Sequence, residues 1–165
     1  VELRIDDGRI LVRGPMRMAG YLGEPPLASS EWLDTGGLGE IDAEGYLAIV
    51  DRSKDLIKSG GEWISSIALE NAACGHPEVL QAAVIAAFHP KWQERALLIL
   101  TRRPGSQLDR ETLLEFLRPG VASWWLPDDV VFVSEMPMTA TGKIHKLTLR
   151  EQFRDYTLPT VDHRS

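Results

Sequence analysis

The chain has 165 residues, a net charge of −6 and an apolar fraction of 44%, the balance of an ordinary globular chain of one domain, or one domain plus a piece of another. The acidic excess argues against a sequence-independent nucleic-acid binder, which needs a basic face. A lone Cys74 cannot close an intramolecular disulfide and suits a reducing cytoplasm, no apolar run is long enough for a transmembrane segment, and no signal peptide opens the sequence.

In chain order, Leu3-Arg4-Ile5 and Ile10-Leu11-Val12 flank Asp6-Asp7-Gly8 and predict a tight hairpin. A loop follows from Gly20 to Asp34, marked by Pro25-Pro26 and Ser29-Ser30. A second strand pair is predicted over Leu38 to Ile41 and Tyr46 to Val50, across a turn ending at Gly45. These first fifty residues are short for an independent core and read as the edge of a larger β-rich body. Val1 is not an initiator Met and stands at the start of a predicted strand, so the chain is expected to be a fragment of a longer protein.

After residue 51 the pattern alternates. Leu56-Ile57 and Trp63-Ile64 flank Ser59-Gly60-Gly61, predicting a third hairpin. Ser65 or Ser66 caps a helix that ends near Gly75-His76-Pro77. The apolar runs Leu80 to Phe88 and Ala96 to Leu100 read as buried strands. Asp109 caps a helix with Leu113, Leu114, Phe116 and Leu117 on one apolar face, stopped by Pro119-Gly120. A short strand is predicted over Val130 to Val133, and a last helix from Leu147 to about Tyr156. The expected fold is α+β: a β-hairpin-rich remnant over residues 1–50, then a small α/β domain over residues 51–165 with a central sheet covered by helices.

The residues with chemical potential cluster late. Pro137-Met138-Thr139-Ala140-Thr141-Gly142-Lys143-Ile144-His145-Lys146 sets Lys143 at a loop tip between two threonines, a glycine and an apolar residue. It is either an ordinary basic surface loop or an ammonium presented to an anionic reactant. A Walker loop is excluded, because the positions that need a glycine and a hydroxyl hold Pro137 and Ile144. Taken locally, Gly60-Gly61 is the turn of a hairpin and Asp51-Arg52 a solvated turn-closing pair. His76, His89, His145 and His163 lack metal-ligand spacing, and no serine-hydrolase elbow is present. Trp124-Trp125 reads either as packing against the sheet or as part of a contact with a missing domain.

Residues 137–146 match throughout the signature Pro-x-Thr-x-x-Gly-Lys-Ile-x-Lys, and with it the chain resembles the adenylate-forming (AMP-binding) ligases, which include acyl-CoA synthetases, luciferases and peptide-synthetase adenylation domains. Two more blocks agree in order and spacing: Trp32-Leu33-Asp34-Thr35-Gly36-Gly37-Leu38-Gly39 resembles the family's Thr-Gly-Asp block, and Gly45 to Gly61 its hinge and glycine hairpin. The likeness covers roughly residues 1 to 155, and Lys58 to Ser66 looks most like medium- and long-chain fatty acid–CoA ligases. It implies that residues 1–50 end a large AMP-binding domain and residues 51–165 form the mobile lid.

The resemblance also implies a reaction. A carboxylic acid is activated with ATP and Mg2+ to acyl-AMP and pyrophosphate, and coenzyme A then displaces AMP. Lys143 is implied as the adenylation lysine, Thr35 as part of the nucleotide site, Asp51 as the hinge and Arg52 as a ribose contact. Gly60 and Gly61 are implied as the channel for the pantetheine arm, with Trp63 either walling that channel or packing in the core. Lys58 either meets a phosphate or is a solvated strand lysine. One departure stands out: the family's ribose-gripping acid is replaced by Gly37. Transfer to a carrier-protein thiol, or a non-catalytic paralogue serving as a binding module, are the alternatives; the missing N-terminal domain would hold the acyl pocket and the phosphate loop.

Overall fold

The structure, a computed structural model, describes residues 1–159 apart from Tyr21, Glu24 and Ser29. Ser29 of the expected loop and His163 therefore lie outside the described residues. The chain divides into two compact units, Val1–Lys54 and Asp55–Ser165.

The first unit is an antiparallel sheet in the order β1 (Glu2–Asp6), β2 (Arg9–Arg13), β3 (Leu33–Ile41), β4 (Leu47–Arg52). The expected boundary after residue 50 falls inside β4, and the units part after Lys54. β1 and β2 pair from Glu2↔Arg13 to Asp6↔Arg9 across the Asp7-Gly8 turn. β3 starts five residues earlier than predicted. Asp, Thr and paired glycines are poor strand formers, but Leu33 and Asp34 ladder onto Val12 and Leu11 of β2, and Gly37 and Leu38 onto Arg52 and Asp51 of β4. A central position overrides the local preference. The β3–β4 register then jumps from Leu38↔Asp51 to Gly39↔Ile49, a bulge just before Asp51.

The second unit is a sheet of β5 (Ile57–Ser59), β6 (Glu62–Ile64), β7 (Val79–His89), β8 (Gln93–Arg102) and β9 (Asp129–Phe132), with helices α1 (Ser66–Cys74), α2 (Arg110–Leu117) and α3 (Lys146–Gln152). The strand order is β6-β5-β8-β7, with β9 parallel to β8. Side chains alternate across a strand, and here both faces are apolar. Ala82, Val84, Ala96, Leu98 and Leu100 join Leu69, Leu113 and Leu117 from α1 and α2 in one core. Ala83, Ile85, Ala87, Leu97 and Ile99 join Met136 and Leu149 in the other. That two-sided burial explains why β7 and β8 read as continuous apolar runs.

Caps set the helix starts. Ser65 Oγ accepts the Ala68 N–H at 3.2 Å, and an Asp109 carboxylate oxygen accepts that of Thr112 at 2.8 Å. Two expectations need correction. α3 stops at Gln152 instead of running to about Tyr156, because the Tyr156 hydroxyl donates to Asp129 and pulls the chain onto the sheet. Burial first, then this bond to Asp129, push the Tyr156 phenol up to about 12. Phe116 is 42% exposed instead of lying on the buried face of α2, and it meets His76 edge-on at 4.8 Å.

One charge lies deep inside. Arg95 on β8 is 3% exposed; its Nε lies 2.6 Å from Asp128, its Nη1 donates to Ser59 Oγ at 2.9 Å and to the Trp124 carbonyl at 2.7 Å, and its Nη2 to the Leu126 carbonyl at 3.0 Å. Removing one partner of a buried pair strands the other. Arg95→Met is therefore expected to destabilise the second unit by about 3–5 kcal/mol, read as a shift in the urea unfolding midpoint; a loss below about 1 kcal/mol, the scale of a surface pair, would show that the network is not what holds this corner.

Candidate functional site

The glycine turn is built by close approach. Gly60 and Gly61 join β5 to β6 with φ of +58° and +95°, the left-handed region that favours glycine. The Gly60 N–H donates to the Trp92 carbonyl at 3.0 Å, and a Cβ at Gly60 would lie 2.3 Å from the Trp92 ring. At Gly61 a Cβ would meet nothing within 4 Å. Immediately before the turn, Ser59 is clamped by Arg95. The turn is thus fixed from below by a guanidinium and from the side by an indole.

Lys58 and Trp63 are cross-strand partners, with the Lys58 ammonium 5.0 Å from the centre of the Trp63 ring. Trp63 is 49% exposed, so it does not pack in the core. Its ring stands half-exposed on the strand that follows the glycines. Lys58 is exposed, and its N–H donates to Glu94 at 2.8 Å.

Lys143 sits on a closed loop. Met138 and Ile144 form an antiparallel bridge, and the His145 N–H donates to the Pro137 carbonyl at 2.7 Å. Inside that bridge Thr139 N–H bonds the Lys143 carbonyl at 2.7 Å, Gly142 N–H bonds the Thr139 carbonyl at 3.0 Å, and Lys143 N–H bonds Thr139 Oγ1 at 3.1 Å. The hydroxyls of Thr139 and Thr141 lie 3.0 Å apart, and Gly142 has φ +77°. Every one of these bonds uses the backbone or a threonine. The Lys143 side chain is exposed, and among the described residues no group pairs with its ammonium.

The first unit brings Thr35, Asp51 and Arg52 together on neighbouring strands. Thr35 Oγ1 donates to the Ile10 carbonyl at 2.8 Å and accepts the Gly37 N–H at 3.1 Å. Gly37 is the register partner of Arg52, and Ser53 N–H donates to the Gly36 carbonyl at 3.0 Å. Asp51 is fully buried and accepts the N–H of Arg52 at 2.7 Å, while the Arg52 side chain is exposed. Asp34 is already engaged: it accepts the Gly36 N–H at 2.8 Å and pairs with Arg9 at 3.2 Å.

Residues 68–143 match the AMP-binding enzyme C-terminal domain. That stretch is an AMP-binding enzyme C-terminal domain. The chain is 50% identical over 150 residues to the 3-methylmercaptopropionyl-CoA ligase of Ruegeria pomeroyi, covering 90% of this chain and 28% of that protein. With the long-chain-fatty-acid–CoA ligase of Thermus thermophilus it shares 46% identity over 90% of this chain and 28% of the relative. The crystal structure of ATP-bound MatB from Rhodopseudomonas palustris superposes with a TM-score of 0.82 at 31% identity, over 90% of this chain and 30% of MatB. The chain thus spans little more than a quarter of the length of those curated relatives, and the match to the C-terminal domain falls within its second unit.

Two residues beside the glycine turn escaped the sequence, and Lys146, the last residue of the signature, was given no partner there. Trp92 and Arg95 flank the glycine turn from β8 and the loop before it, and Lys146 binds Glu70 of α1. The faint signal for Arg95 was a charge at the mouth of an apolar strand. Gly60→Ala is expected to lower the melting temperature clearly more than Gly61→Ala, since both incur a left-handed backbone cost of about 1–2 kcal/mol but only Gly60 has an indole in the way; equal shifts would contradict the close contact with Trp92.

Proposed function

We propose that this segment is the C-terminal part of an acid–thiol ligase of the fatty acid–CoA ligase type. Its second unit acts as a lid presenting Lys143 to the adenylation reaction and the glycine hairpin to the thioester-forming one. The full-length enzyme would join a carboxylate oxygen to the α-phosphorus of ATP, expelling pyrophosphate. The sulfur of coenzyme A would then attack the acyl carbonyl and expel AMP. We place residues 1–50 at the end of the large AMP-binding domain and the enzyme in the cytoplasm, where a lone thiol stays reduced.

The exposed Lys143 ammonium on its closed loop carries this reading. Two anions must approach in the first step, and a compact point charge on a long stem suits that task. Gly142 and the threonines fix the backbone without consuming the charge. Asp51 would be the hinge, and Arg52 with the Thr35 segment would meet the nucleotide ribose. Gly60, Gly61 and Trp63 would border the pantetheine channel, with Lys58 near a phosphate. Among the described residues no three His, Cys, Asp or Glu side chains converge to hold a metal ion. Mg2+ would arrive bound to the phosphates of ATP, and no step here depends on its ligands.

In the full-length enzyme, Lys143→Ala is expected to slow acyl-adenylate formation about 10²–10³-fold, measured by pyrophosphate release, while coenzyme A transfer from supplied acyl-adenylate stays near the wild-type rate. Equal loss in both half-reactions would remove Lys143 from the role.

Gly37 favours a second reading, a weakened or non-catalytic nucleotide site. A Cβ there would meet Ile10 Cδ1 at 3.2 Å and Thr35 Oγ1 at 3.3 Å, so a larger residue needs only a small shift. If the missing acid limits ribose binding, Gly37→Asp lowers the KM for ATP about tenfold or more, the worth of one hydrogen bond to a charged group. An unchanged KM would show that this enzyme grips the ribose elsewhere.

A further inference from the structure

The bonds within the Lys143 loop close it upon itself but do not anchor it to the domain. Anchoring falls to its flanks. Ile144 packs against the second core, and Gln81 Nε2 reaches Met138 Sδ at 3.8 Å, a weak contact. Three residues beyond Lys143 comes a stronger one. Lys146 Nζ lies 2.6 Å from Glu70 Oε1 and 2.8 Å from Ser66 Oγ, both on α1. The Lys146 and Glu70 side chains are 16% and 18% exposed, so the pair escapes most of the screening that makes surface pairs worth little. Glu70 Oε1 also accepts the Val84 N–H at 2.7 Å, on the edge strand β7. The end of the loop is therefore tied through one carboxylate to both a helix and the sheet.

We propose that Lys146 is a positioning residue for Lys143: its contact with Glu70 and Ser66 fixes the base of the loop and thereby the point to which the Lys143 ammonium is delivered. The inference rests on the assignment of Lys143 to adenylation. A lysine stem is long and flexible, so the reach of its charge is set by where its backbone is held. A misplacement of about 1 Å in a reacting group can cost about 10²-fold. If Lys146 only neutralised Glu70, its loss would loosen the whole domain, and both faces of the lid would suffer alike.

The test uses the full-length enzyme and four variants, Lys143→Ala, Lys146→Met, Lys146→Arg and Glu70→Gln. Three readouts serve: single-turnover acyl-adenylate formation, KM for ATP, and thioester formation from supplied acyl-adenylate. Lys146→Met is expected to slow adenylation about 10- to 100-fold, with KM for ATP and the thioester rate within about twofold of wild type. Lys146→Arg should recover most of the loss, because a guanidinium can still bond Glu70. Glu70→Gln keeps an oxygen for Val84 while removing the charge. It should lower adenylation in the same direction, and it carries the test should the Met variant fail to fold. Unchanged adenylation in Lys146→Met and Glu70→Gln, a parallel fall in both half-reactions, or no advantage of Arg over Met would each overturn the proposal. Intact adenylation in Lys143→Ala is separately visible, and would strike the underlying assignment instead.

Discussion

Arg95 is the constraint on which the second unit turns. A guanidinium offers five donors in a rigid fork, and four hydrogen bonds use them here to hold two segments: Ser59 before the glycine turn, and the stretch before β9 through Asp128 and the Trp124 and Leu126 carbonyls. Burying a charge is costly unless it is paired and fully bonded. Apolar packing would have held these segments together too, but without fixing their relative register. Directional bonds to a planar group do fix it, and a hairpin whose tip lies against an indole has little tolerance for slippage.

The sheet supplies the platform for that precision. Because β7 and β8 are apolar on both faces, α1 with α2 and α3 with its tail are pressed against opposite sides of one rigid layer. The ends of this platform are tied by charge. Arg150 of α3 pairs with Asp55, the first residue of the unit, while Arg110 and Tyr156 share the carboxylate of Asp129. The chain on each side of the lysine loop is thus pinned to a different part of the same core.

Much of this was legible in the sequence, and the misses have physical causes. Periodicity and turn chemistry located the hairpins, the two apolar strands and the capped helices, since each of those signals is local. β3 began earlier than its composition implied because its neighbours, not its own residues, made it a strand. α3 stopped short because a bond from Tyr156 to Asp129, 27 residues away, competed with helix propagation. The motif around Lys143 was visible, since a loop built from threonine and glycine writes its geometry into contiguous residues. The ion pairs of Arg95 and Lys146 were not, because their partners lie 33 and 76 residues away and nothing local marks a charge as paired.

A common arrangement links the two loops. A group meant to meet a substrate has to remain exposed, so burial cannot hold it in place. Both loops have the same arrangement, a polar anchor buried or half-buried close by in the chain. Ser59, bonded to Arg95, directly precedes Gly60; Lys146, bonded to Glu70, follows three residues after Lys143. The anchors converge, because the helix that carries Glu70 and Ser66 begins two residues after the glycine hairpin ends at Ile64. The lysine loop is thus tied to α1 by side-chain contacts, and the glycine hairpin leads directly into the same helix. Under the proposed lid role such coupling would let the domain turn as a rigid piece: a domain that deformed between the two proposed tasks would have to rebuild each site on every turnover, whereas one that only turned would keep both assembled.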